Sequence, residues 1–364
     1  MKQRIFGLDL LRAFAIFSIM VAHGTSLLPT DLRFINQVLG WNGVALFFVL
    51  SGYLIGSIII KANENQDFKL KEFYIRRWFR TFPNYFLILT VLIFFASKEI
   101  VKIGPYLTFI QNFNWIHPNF FPEAWSLCVE EWFYLLFPIV LLSIKISLKI
   151  SPKKALLITI ISFVLFGTFY RIYKAQITDY ETILQWSNVF RKQVLTRLDC
   201  IVFGVLGAYL SHYNHQAWKH SKRLKCTIGL VLLIFFQFNE YFRWIPITST
   251  IYSVWYFLLQ SIGWLLVFPI VEELPLPPKI LHRIVTQTSV LSYAMYLLNL
   301  SIVLKIIIPW TKLKTNNLLG GVGDFMIFYA VTMALSWLLY KFYENPLTRL
   351  RDRFSKKRLF TNAD

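Results

Sequence analysis

The run "LLRAFAIFSIMVAHG", Leu10 to Gly24, is apolar enough to lie in a bilayer, yet Arg12 and His23 interrupt it and Asp9 stands just before it. Eleven helical steps of about 100° bring Arg12 and His23 within about 20° of one another, about 16 Å apart along the axis. They therefore share one face at two depths. An ionisable group at membrane depth is costly and normally faces a bundle interior or a wet cavity, where it marks a pathway or a site. Arg12 lies three residues from Asp9 and has a local ion-pair partner there. His23 has none.

The rest of the chain extends this first reading. With 364 residues, 56% of them apolar, 18% aromatic and only 16% charged, the composition is that of a polytopic membrane protein. Windows of about 20 residues pick out apolar segments near 6–28, 43–62, 82–97, 125–147, 155–173, 195–211, 224–239, 249–271, 289–309 and 322–343. The expected fold is all-α, a polytopic integral membrane protein with about ten transmembrane helices. Residues 1–345 read as a single membrane domain and 346–364 as a basic cytoplasmic tail. No small-x-small pattern follows His23, so the first segment reads as a retained span and not a cleaved leader.

The formal charge of +19 would suggest nucleic acid in a soluble chain. Here the basic residues sit between apolar runs, where they set orientation instead. Lys2 and Arg4, then Lys61, Lys69, Lys71, Arg76, Arg77 and Arg80, then Lys145, Lys149, Lys153 and Lys154 fall on one side, as do Lys219, Lys222, Arg223, Lys225 and the tail with Arg349, Arg351, Arg353, Lys356, Lys357 and Arg358. That side is expected to be cytoplasmic, with both termini on it and the chain in the inner membrane. The opposite loops 29–42, 98–124 and 240–248 are poorer in Lys and Arg and richer in aromatics, whereas 174–194 is mixed. Cys128, Cys200 and Cys226 are too scattered for a disulfide framework and read as free thiols, and no metal-ligand pattern is present.

Three further clusters carry chemistry. In "EAWSLCVEEWFYLLFP", Ser126 and Glu130 are four apart and share a helical face, with Glu130 expected at a depth similar to that of His23, so that the two can meet. In "TRLDCIVFGVLGAYL", Arg197 and Asp199 open the sixth segment at the same outer end, either as members of that cluster or as an ion pair with each other. An imidazole, carboxylates and a guanidinium at one depth suit proton transfer with anion stabilisation, although ion-pair networks in transporters have the same composition. In "FYIRRWFRTFPNYF", Arg77 and Arg80 are three apart among aromatics. Such arginine forks bind phosphate, while a basic loop between two spans also follows from the positive-inside rule alone.

The order of "GLDLLRAFAIFSIMVAHG", "FFVLSGYLIGS", "FYIRRWFRTFP", "AWSLCVEEWFYLLFP", "RLDCIVFGVLGAYL", "SYAMYLLN" and "KFYENPLTRLR" along the chain resembles the acyltransferase 3 family of integral membrane acyltransferases. The resemblance implies transfer of an acyl group, commonly acetyl, from cytoplasmic acyl-coenzyme A (acetyl-CoA) to a hydroxyl of a sugar in an envelope polysaccharide or its lipid-linked precursor. It implies His23 as the essential histidine, Arg12 as the arginine that starts that motif, Arg77 and Arg80 as the pair associated with the donor, and Glu130 as the glutamate of the fourth segment. In this scheme His23 is general base or transient acyl carrier, Glu130 orients its ring and Arg197 stabilises the oxyanion. Asn299 stands where many relatives have a histidine, which breaks any proton relay through that position. Some relatives also carry a fused extracytoplasmic domain, and the tail after the last segment is expected to be too short for one.

A transporter or flippase would use the same buried charges as a permeation or proton path, but no paired broken helices or inverted halves are apparent in the sequence. A third alternative is a membrane partner that has kept the fold without the chemistry. In the outer loops Asn112, Asn114, Trp115, His117 and Trp186 are candidate acceptor contacts, and His117 reads as an ordinary loop histidine.

Overall fold

A computed structural model describes residues 4–65, 68–95, 102–311 and 318–354, which leaves Lys2, Lys356, Lys357 and Arg358 outside the described residues. Apolar runs bounded by caps and turns form long helices: α1 Phe6–Gly24, α2 Gly43–Glu64, α3 Leu70–Phe95, α4 Ala124–Ser147, α5 Pro152–Ile177, α6 Leu198–Tyr213, α7 Lys222–Phe242, α8 Tyr256–Val271, α9 Lys279–Leu298 and α10 Leu318–Leu339. A last helix, α11, follows over Asn345–Phe354. The Asn42 side chain caps α2, and Ser151 caps α5 with Pro152 at its first position. Three of the spans include π-helical stretches: Ile251–Trp255 before α8, Asn299–Ile307 after α9 and Tyr340–Glu344 after α10.

Among the described residues, nine helical spans are long and apolar enough to cross a bilayer. The tenth, α6, has 16 residues, about 24 Å of rise, and is buried along almost its whole length. Because protein covers it, it need not match the hydrocarbon thickness. The chain is an all-α, multi-pass membrane protein.

Two boundaries differ from the hydropathy reading. α3 begins at Leu70 rather than near 82 and α9 at Lys279 rather than near 289. In both, charged and polar residues in the first turns lower the hydropathy although the helix is continuous. Arg76, Arg77 and Arg80 therefore lie inside α3 and not in a loop.

α2 and α6 form the closest helix pair, and small residues make the approach possible. A Cβ on Gly52 would fall 1.8 Å from the Ile201 carbonyl oxygen, and one on Gly204 would fall 2.0 Å from that of Val49. The glycines let the two backbones touch, as small residues do where helices pack within a membrane. α1 packs along α9 and α2, so the face carrying Arg12 and His23 looks toward α9.

Candidate functional site

A cavity of about 270 Å³ opens among the helices at the end rich in arginine. Arg4, Arg12, Arg76, Arg77, Arg80 and Arg351 line it, against the carboxylates of Glu130 and Glu344. Along α2 its lining runs from Ile58 up to Val44, about 21 Å of helical rise. At the far end the lining residues are Val44, Phe47, Ser126, Leu127 and Tyr296. The wall is thus cationic at the mouth and apolar with a few hydroxyls at the tip, the usual composition of a site for a long ligand with one charged end.

At the arginine end each side chain is held. Asp9, 3% exposed, accepts from Arg4 at 3.0 and 2.7 Å and from the Ser289 hydroxyl at 2.7 Å. Arg12 lies 3.5 Å from Asp9 and donates to Ser289 at 3.2 Å. It both pairs with Asp9 and lines the cavity. Arg77 lies 3.5 Å from Glu130, donates to the Tyr134 hydroxyl and stands 3.7 Å over the Tyr134 ring. Tyr134 in turn donates to Glu130 at 2.7 Å and also meets Ser51. The family-associated pair Arg77 and Arg80 therefore faces one cavity with Arg12 and Glu130.

The expected meeting of His23 and Glu130 does not occur. Among the described residues no hydrogen bond or ion pair joins them: Glu130 is engaged by Arg77 and Tyr134, and His23 by Asn299 at 2.5 Å from its Nδ1. The packing explains this, since α1 lies against α9 and not against α4. Nor does His23 line the cavity. Tyr296 does line it, and its hydroxyl is 2.6 Å from Ser126 and donates to the Glu123 carbonyl at 2.9 Å. Ser126 and Tyr296 thus join the cavity tip to the segment that holds His23.

Arg197 and Asp199 do not pair either. Arg197 stands just before α6 with a non-helical backbone, and Asp199 is held instead by Arg171, a residue not anticipated from the sequence, with bonds of 2.8 and 2.6 Å and both side chains fully buried. Arg197 lies 4.1 Å over the Phe257 ring, and among the described residues it makes no hydrogen bond to His23. Like His23, neither residue lines the cavity. Of the outer-loop candidates, Asn112 bonds the Trp125 carbonyl at 3.1 Å, His117 bonds the Phe121 carbonyl at 2.9 Å, and Trp186 is buried against Phe257, so these three build structure. Asn114 accepts from Tyr170 and Lys174 on the surface, and Trp115 is half exposed.

The sequence reading also missed Glu123 and Ser301. The Glu123 carboxylate is buried and accepts from the Ser301 amide at 3.1 Å and its hydroxyl at 2.6 Å. Burial pushes this carboxyl up to about 7, with the Ser301 hydroxyl pulling the other way. As the last loop residue before α4, Glu123 carried no periodic signal. Tyr134 was the findable one, four residues after Glu130 on the same face.

Comparison with known proteins bears on this site. The family model for an acyltransferase domain, acyltransferase 3, matches residues 5–341. A Staphylococcus aureus (strain COL) protein provisionally named an O-acetyltransferase is 24% identical, over 94% of this chain and 57% of its own length. The peptidoglycan O-acetyltransferase OatA of Listeria monocytogenes is 32% identical over 44% of this chain and 27% of its own. A Haemophilus influenzae protein of uncharacterised role is 26% identical over 55% of this chain and 89% of its own. The chain spans just over half the length of the staphylococcal relatives it matches. No solved structure matches.

Proposed function

The chain belongs to the acyltransferase 3 family, and on that premise we propose that it moves a short acyl group, acetyl first among them, from acyl-coenzyme A to a sugar hydroxyl of an envelope polysaccharide or its lipid-linked precursor. The observation that carries the reading is the cavity with six arginines at its mouth and an apolar tip beside the His23 assembly. Phosphate groups of the donor suit Arg77, Arg80 and Arg351, because guanidinium forks pair with phosphate oxygens. The arm bearing the thioester suits the narrow apolar length above them. We assign the arginine end to the cytoplasm, with both termini there and the chain in the inner membrane, from the positive-inside bias.

His23 is the group suited to take the proton from the acceptor hydroxyl. The freed oxygen attacks the thioester carbonyl, the C–O bond forms, and the C–S bond breaks as the tetrahedral intermediate collapses. The thiolate leaves and is protonated to coenzyme A. Arg12 and Glu130 keep the arginine end ordered and do not touch His23. For the step to occur, the thioester must pass the Ser126–Tyr296 contact at the cavity tip. The relative named for peptidoglycan makes that polymer the first acceptor to supply.

The test is thiol release from acetyl-CoA by the purified protein supplied with envelope glycan, alongside mass spectrometry of glycans from cells with and without the gene. Acceptor-dependent thiol release and a mass shift of one acyl group are expected, both lost in a folded His23→Ala protein. Transport of a glycan or lipid without any acyl turnover would overturn the reading.

A further inference from the structure

Asn299, which stands where the family resemblance leads one to expect a histidine, bonds the His23 ring. Asn299 is fully buried, and its side-chain Nδ2 donates to the Met295 and Tyr296 carbonyls, each at 2.8 Å. A carbonyl oxygen only accepts, so the amide group must present its NH2 to α9 and its Oδ1 to His23. Oδ1 has lone pairs alone. A neutral His23 ring 2.5 Å away must therefore carry its hydrogen on Nδ1, which leaves the lone pair on Nε2.

A π-helical stretch starts at Asn299. Within it the Ser301 amide donates to the Glu123 carboxylate. The Ser301 hydroxyl donates to the same carboxylate, and the Tyr296 hydroxyl closes the assembly on the Glu123 carbonyl. The loop residue before α4 thereby holds the π-helical turn after α9 that carries Asn299.

We propose that Asn299, anchored through Ser301 and Glu123, is a positioning residue that holds His23 in the Nδ1–H tautomer, with Nε2 as the basic nitrogen. The catalytic part of this inference rests on the acyl-transfer reading; the tautomer does not. An imidazole in the wrong tautomer has no lone pair where the acceptor hydroxyl sits, so loss of Asn299 acts on turnover and not on donor affinity.

Two measurements on the full-length protein test it. In 15N-histidine NMR, with His23 assigned by a His23→Gln protein, the wild-type ring should show a protonated Nδ1 and an unprotonated Nε2, and Asn299→Ala should lose that pattern. In acyl turnover, Asn299→Ala should lower kcat by about 10- to 100-fold with KM for acetyl-CoA within about twofold, while Asn299→Asp, which keeps an acceptor facing Nδ1, should recover part of kcat. Should the alanine variant not fold, the wild-type spectrum and the aspartate variant decide alone. A wild-type ring protonated on Nε2, or an alanine variant with unchanged kcat, overturns the proposal. No turnover from a wild-type protein whose spectrum shows the Nδ1–H ring overturns acyl transfer and leaves the tautomer standing.

Discussion

At the scale of single residues, buried polar groups divide into those that build the molecule and those that face the cavity. Asp199 and Arg171 belong to the first kind. Removing one member of a fully buried pair strands the other, at a cost of about 3–5 kcal/mol, so Asp199→Asn should lower the melting temperature in detergent sharply. Arg171→Met combined with Asp199→Leu should cost less than the sum of the single changes. His117 gives a test by pH. Burial, opposed by its bond to the Phe121 carbonyl, lowers its ring to about 4. An unfolded chain protonates His117 near 6.5 while the folded one stays neutral down to about 4, so stability falls as pH drops through that window, by up to about 3 kcal/mol. His117→Gln should flatten the slope of melting temperature between pH 6.5 and 4 relative to wild type. His23 and Arg12 were legible as out-of-place residues on one apolar face. Arg171 was not, because an arginine near the end of an apolar helix looks the same whether it meets water or a buried carboxylate.

Among the elements, the ten spans were legible because a lipid-facing or core helix must be apolar over a defined length. Their partners were not, since hydropathy carries no information about which helix meets which. The meeting of His23 with Glu130 was expected from depth alone, and the packing of α1 on α9 decided against it. The glycines of "LSGYLIG" and "GVLGAYL" acquire a reason in the α2–α6 contact. Gly204→Ala should force those backbones apart and cost about 1–3 kcal/mol, read as lost thermal stability. Gly323→Ala, where an added Cβ meets nothing within 4 Å, should leave stability near wild type.

For the whole molecule, the charge asymmetry read from composition became a cavity mouth once the helices were assembled. The part expected as a basic tail contributes to it: α11 packs on α3 and places Arg351, 7% exposed, in the lining. No hydropathy pattern reports such a fold-back. If the mouth binds donor phosphates, Arg351→Ala should weaken coenzyme A binding by about tenfold, the loss of one charge-assisted contact. Arg349→Ala, exposed and outside the lining, should leave it unchanged in the same calorimetric titration. The cavity's far limit has a separate consequence. A bundle offering a water path from face to face would let protons and ions run down the membrane potential. Here the lining stops at Val44, Ser126 and Tyr296, and the bonded Ser126–Tyr296–Glu123 group stands across its tip. Those hydroxyls bound the cleft at that end, so on the acyl-transfer reading the thioester would have to pass the same contact that keeps the polar lining from running on through the bundle.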